Sequence, residues 1–290
     1  MEGAEQQQPQ QQPTGKPSIL SNRKALYGGI IAVIIIVVAA LTLTGGGGGG
    51  STGAQLAQFD GQPVPQSVLA QLAVPNNVSA AIYTGFATNF PTKANATKLA
   101  IGGKPEILYI GAEYCPYCAV QRWPLIIALM RFGTFNGLEY MTSSATDVYA
   151  NTPTFTFANA TYSSPYIVFV ARELTTNKYN SSIGGYPNLE TLNASEQSIF
   201  AKYNPGGSIP FIDYANYSTE VGGNFGDPTV IDGMNWSTIA SKLHNPGSPQ
   251  AQALVGSANL VTAQICIIDN NTPASVCGQQ YIKGIEAQLG

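Results

Sequence analysis

Glu106-Ile107-Leu108-Tyr109-Ile110-Gly111-Ala112-Glu113-Tyr114-Cys115-Pro116-Tyr117-Cys118 carries an apolar, strand-like run directly into a helix-like stretch, Ala119 to Arg131. Two thiols therefore fall at a strand-to-helix junction. A thiol at a helix N-terminus faces unsatisfied backbone N–H groups and the positive end of the helix dipole, so its thiolate is stabilised near neutral pH. With two residues between them, the second thiol reaches a mixed disulfide formed by the first. The spacing predicts a redox dithiol, although C-x-x-C is also half of many zinc sites.

Outward from this point the chain alternates strands and helices. Lys104-Pro105 introduces the strand Glu106 to Ile110, and Pro124 should kink the helix that follows. Leu138 to Thr142, after the turn Gly133 to Gly137, reads as a second strand, and a right-handed crossover would lay it parallel to the first. Ser143 to Pro205 reads as an insertion. It holds short strands at Thr154 to Phe157 and Tyr166 to Val170, and a helix, Ser195 to Tyr203, with Ser195-x-x-Ser198 at its start. Ser208 to Tyr214 and Tyr217 to Val221 form a hairpin, and Trp236 to Leu243, Pro249 to Ile268 and Ser275 to Leu289 are helical. Two short helices, Pro65 to Ala73 and Asn77 to Tyr83, precede the dithiol.

Ile107-Leu108, Ala112-Glu113-Tyr114-Cys115-x-x-Cys118, Pro124 and the distant Ile209-Pro210 together resemble the thioredoxin superfamily. Taken whole, the chain is similar to an archaeal family of membrane-anchored thioredoxin-like proteins. The resemblance implies an α/β, thioredoxin-like fold with an insertion between the CxxC helix and the cis-proline strand. It also implies that Cys115 attacks, that Cys118 resolves, and that a cis Ile209-Pro210 bond lies beside the dithiol where the backbone pairs with a substrate chain. Thioredoxins place a buried acid six residues before the first cysteine, but that position is Tyr109 here. Glu113 and Asp147 are the candidates to move the proton instead, with water as the alternative.

The location follows from the N-terminal third. Residues 1–24, rich in Gln and Pro, cannot bury a core and should form a disordered cytoplasmic tail. Residues 25–44 should form a transmembrane helix: the uncharged run Leu26 to Thr44, at about 1.5 Å per residue, just crosses a hydrocarbon layer of roughly 30 Å. Arg23 and Lys24 precede it and no Lys or Arg follows until Lys93, so the positive-inside rule places the N-terminus in the cytoplasm. Residues 45–53 are a Gly-rich linker, and 54–290 an extracytoplasmic domain. A cleaved secretory signal is the first rival, though the polar lead is long for one. A second is a pilin-like leader, suggested by Arg23-Lys24-Ala25-Leu26.

N-x-S/T sequons at Asn77, Asn95, Asn159, Asn180, Asn193, Asn216, Asn235 and Asn270 all lie beyond the apolar run and are glycosylation candidates in that orientation. An outer location also suits disulfides. Cys266 and Cys277 read as a structural bridge worth about 2 to 3 kcal/mol, with a second redox pair as the alternative. The ten-residue interval Ile267 to Val276 is too long for a zinc knuckle, and the only histidine, His244, stands at a predicted helix end, so no metal and no other cofactor is expected. Charged residues are 10% of the chain and the net charge is −3, which excludes a basic nucleic-acid surface. The expectation is a membrane-anchored thiol-disulfide oxidoreductase whose partners are protein thiols and disulfides and a redox protein. The competing class is a structural or adhesive surface glycoprotein with inert bridges.

Overall fold

The computed structural model describes residues 51–94 and 96–290. The predicted cytoplasmic tail, the predicted membrane helix, the glycines Gly45 to Gly50 and the sequon residue Asn95 lie outside the described residues. Ser51-Thr52-Gly53, expected to end the flexible linker, instead opens a helix, α1 (Ser51–Leu56). Leu56 at its end is fully buried, so packing of that side chain holds the segment against the domain.

The helices α2 (Gln66–Gln71) and α3 (Asn76–Ile82) precede β1 (Thr92–Lys93), β2 (Ala100–Ile101) and β3 (Lys104–Gly111). Then come α4 (Pro116–Leu129), β4 (Thr134–Asn136), β5 (Glu139–Thr142), β6 (Pro153–Thr156), β7 (Thr161–Ser163) and β8 (Val168–Glu173). The chain continues through α5 (Ala194–Tyr203), β9 (Phe211–Tyr214), β10 (Ser218–Val221), α6 (Trp236–Lys242), α7 (Pro249–Ile268), α8 (Ala274–Cys277) and α9 (Gln280–Leu289).

β3 is the centre of a mixed sheet. It pairs parallel with β8, Glu106 opposite Val168 through Gly111 opposite Glu173, and antiparallel with β9, Leu108 opposite Asp213. β9 and β10 form the expected hairpin, closed by Ala215 and Asn216 in the left-handed region, and β1 lies on the far side of β10. Side chains alternate across this sheet. Leu108, Ile110 and Phe211 meet Ile199 and Phe200 of α5. Ile107, Tyr109, Ile212 and Tyr214 are fully or almost fully buried on the opposite side, where α7 packs on β9 and α4 packs along α7.

The strand pairing corrects the sequence reading in one important place. β5 is not parallel to β3; it pairs antiparallel with β6 in a separate two-stranded sheet. The parallel neighbour of β3 is β8, so part of the expected insertion belongs to the central sheet. Both segments are short strands, and periodicity carries no information about which of them meets β3. Two smaller corrections concern element ends. The expected Ser275 to Leu289 helix is broken into α8 and α9 at Gly278-Gln279. The expected strand from Ser208 begins only at Phe211, after Pro210.

α5 begins one residue earlier than expected and is capped by Asn193, not by Ser195. Asn193 Oδ1 accepts from the Glu196 N–H, and Glu196 returns a hydrogen bond from the Asn193 N–H, a reciprocal capping box. Asn193→Ala is expected to lower stability by about 1 kcal/mol. A shift of the urea midpoint with unchanged slope would measure it.

α7 is apolar enough in length and composition to cross a membrane, but 89% of its apolar window is buried within the protein. It is a core helix, buried along nearly its whole length, with the polar side chains of Ser257, Asn259, Thr262 and Gln264 buried along with the apolar ones. Gly256 gives it a close approach to the loop after α3, since a Cβ there would lie 2.3 Å from the Thr84 carbonyl oxygen.

Candidate functional site

α4 starts where β3 ends, after the short loop Ala112 to Cys115. Cys115 is its N-cap and Pro116 its first residue, where a missing N–H costs nothing. The Cys118 N–H donates to Cys115 Sγ at 3.3 Å. All the residues of α4 except Tyr117 are buried, and the helix runs unbroken through Pro124. Trp123 fixes it by donating from Nε1 to the Pro153 carbonyl at 2.9 Å.

Cys115 and Cys118 are both free thiols. Cys115 is 5% exposed and Cys118 0%, so only the first reaches the surface. A hydrogen bond with the Cys118 thiol lowers the Cys115 pKa, helped by the Cys118 backbone N–H and the Arg122 charge and opposed by burial. Burial first, and then the adjacent Cys115 sulfur, push the Cys118 thiol well above its usual range. The outer sulfur is the better thiolate, while the inner one keeps its proton.

The Ile209-Pro210 peptide bond is cis. Its Ile209 carbonyl oxygen lies 3.8 Å from Cys115 Sγ, which places the start of β9 beside the dithiol. The rim on the other side is aromatic. Tyr114 stacks on Tyr186 with centroids 4.3 Å apart, and exposed Tyr117 meets Tyr149 edge-on at 6.0 Å.

The two candidate carboxylates occupy different environments. Glu113 is buried and accepts from the Thr156 hydroxyl at 2.7 Å, and burial raises its pKa. Asp147 sits in the turn after β5, where its carboxylate accepts from the Val148 N–H at 2.6 Å. Cys266 and Cys277 form a disulfide with a Cα separation of 5.5 Å, joining α7 to α8; neither element carries the dithiol. His244 contacts the Gln71 carbonyl oxygen through Nε2 at 2.8 Å, a tie from the end of α6 to α2. Among the described residues no group of three His, Cys, Asp or Glu side chains is placed to hold a metal ion.

Of the described sequon residues, Asn77, Asn159, Asn180, Asn193 and Asn270 are exposed, and Asn216 and Asn235 half-buried. Asn77 lies within α3, and its Ser79 is buried against Arg131, so that sequon serves the fold. Asn193 and Asn235 are helix N-caps.

Sequence reasoning missed the charged layer beneath the dithiol. Arg122, one turn beyond Cys118, donates from Nε and Nη2 to the Glu173 carboxylate at 2.8 and 2.6 Å, and from Nη2 to the Ala112 carbonyl at 2.8 Å. Both side chains are completely buried. Glu173 ends β8 opposite Gly111, and a Cβ at Gly111 would lie 2.2 Å from the Tyr109 hydroxyl oxygen. Glycine therefore makes room for that hydroxyl. A lone arginine in the apolar run after Cys118 was the one local signal of this layer.

A second buried group touches the same helix. The Asn224 N–H donates to Gln121 Oε1 at 3.2 Å, and its Nδ2 donates to Glu220 at 3.1 Å. Tyr214 also donates to Glu220, at 3.2 Å, and Ser257 of α7 donates to Asn224 Oδ1. Burial drives the Glu220 carboxyl up to about 8.

Residues 90–267 match the family model described as Domain of unknown function (DUF929), and the chain belongs to that family. No curated protein matches the chain. No solved structure matches it.

Proposed function

We propose that this DUF929 protein is a thiol-disulfide oxidoreductase with a thioredoxin-like domain, held outside the cytoplasm by the apolar run 26–44. The observation that carries the reading is the asymmetry of the two thiols, with the Ile209 carbonyl beside the outer one. A central strand leading into an N-capped dithiol helix, a parallel neighbour on one side and a hairpin opened by cis Pro210 on the other support it.

In the reductive direction the Cys115 thiolate attacks one sulfur of a substrate disulfide. A Cys115–substrate disulfide forms, the substrate S–S bond breaks, and the other substrate sulfur leaves as a thiolate. Cys118, losing its proton, then attacks Cys115 Sγ, closes the Cys115–Cys118 bond and expels the second substrate sulfur, which takes up a proton. Two electrons pass from the dithiol to the substrate. The reverse sequence oxidises a substrate dithiol. The substrate chain would lie in extended form against the Ile209 backbone, between the hairpin and the tyrosine rim. Exposed Asn159, Asn180 and Asn270 suit glycosylation in an extracytoplasmic setting.

Trapping tests the reading. Full-length protein carrying Cys118→Ser, incubated with insulin, should accumulate a reductant-sensitive covalent adduct through Cys115, and Cys115→Ser should form none and lose insulin reduction to background. Equal insulin reduction by wild type and Cys115→Ser would sink it.

A further inference from the structure

Cys118 must become a thiolate to resolve a mixed disulfide, yet it is the most enclosed sulfur of the pair. The helix places Arg122 four residues on, so the two side chains share one face. Arg122 Nε and Nη2 are consumed by Glu173 and Ala112, while Nη1 is buried without a partner among the described residues. The hydroxyl of Tyr109, on β3, is likewise buried and unpartnered. Two orphaned donors under one thiol are costly to keep unless a group that carries charge only transiently uses them.

Resting on the thiol-exchange reading above, we propose that Arg122 is a positioning residue for Cys118: its charge, clamped by Glu173, stabilises the Cys118 thiolate, and the Tyr109 hydroxyl assists. When the Cys118 S–H gives up its proton, the new thiolate forms its bond to Cys115 Sγ while the Cys115–substrate bond breaks. The proton leaves with the departing substrate sulfur, and Arg122 transfers none. A guanidinium suits this task because it stays charged at every relevant pH. The other titratable groups facing this layer are Cys115 on α4, Glu113 before it, Tyr109 on β3, and Glu173 with Glu190, whose carboxylate accepts from the Glu173 N–H. Glu113 is engaged by Thr156, and Glu173 is held by both Arg122 and β8. The guanidinium is the one permanent cation of the set.

The test does not depend on substrate exchange. In full-length protein with Cys115→Ser, alkylation of Cys118 by iodoacetamide is followed by mass spectrometry from pH 7 to 11. Burial scales the rates at every pH alike, whereas the midpoint of the profile reports the thiolate fraction. Converting the pair to Arg122→Gln/Glu173→Gln should raise the midpoint by one unit or more, slowing alkylation about tenfold or more at fixed pH below it. Arg122→Lys should restore most of the reactivity, and Glu173→Gln alone, which unmasks the guanidinium, should move the midpoint down. Midpoints within 0.3 unit of the parent in both the double variant and Glu173→Gln would overturn the proposal, as would Arg122→Lys behaving like the double variant. Adduct trapping by Cys118→Ser reports separately on the exchange reading.

Discussion

Replacing Arg122 with methionine is expected to cost about 3–5 kcal/mol of folding stability, because it leaves the Glu173 carboxylate buried with no counter-charge. The loss should show as a large drop in the urea midpoint of the full-length protein, followed by circular dichroism. The double replacement Arg122→Met/Glu173→Leu should recover most of it, since removing both charges also removes their desolvation cost. A single-variant loss below about 1 kcal/mol would mean that Glu173 finds solvent or another donor once Arg122 is gone. Recovery in the double variant would show that the pair is not kept for stability. Its place beneath Cys118 then carries the explanation.

Stability should also fall as pH rises through the range from about 4.5 to about 8, and Glu220 is the main source. Its folded-state pKa is raised to about 8 by burial, while an unfolded carboxyl titrates near the ordinary value of 4.5. Below that ordinary value both states hold the proton and nothing is lost. Between the two values the unfolded chain ionises freely and the folded one resists, so folding weakens steadily. The full difference is on the order of 5 kcal/mol at about 1.4 kcal/mol per unit. Asp213, raised to about 6 by burial, adds to the lower part of the window. Glu220→Gln keeps an amide oxygen for Tyr214 and Asn224 but cannot ionise, so its stability should be nearly level between pH 6 and 8. Chemical denaturation of both proteins at pH 5, 6.5 and 8 provides the comparison, and parallel curves would refute the assignment.

Local chemistry made much of this legible in advance. The strand Glu106 to Ile110, the dithiol at a helix start and the hairpin after Ile209-Pro210 each declare themselves within about ten residues, because propensity, proline placement and capping act over that distance. Pairing does not. β5 and β8 are both short strand segments, and only the assembled sheet decides which one lies beside β3. The Arg122–Glu173 pair was hidden for the same reason, its partners being 51 residues apart. The Asn193 cap was a different failure. It sat in plain view beside Glu196, but Ser195 offered a competing start.

The disulfide between Cys266 and Cys277 straddles the limit of the family match, which stops at residue 267. A chain ended there would keep Cys266 on α7 and lose its equally buried mate Cys277, together with α9, which packs along that helix. Three thiols would then share one molecule, and an orphan Cys266 would compete with Cys118 for any disulfide formed at Cys115. Preparations of the shortened domain should therefore scramble into mispaired and cross-linked species under air, and redox titrations made on them would report that mixture in place of the dithiol.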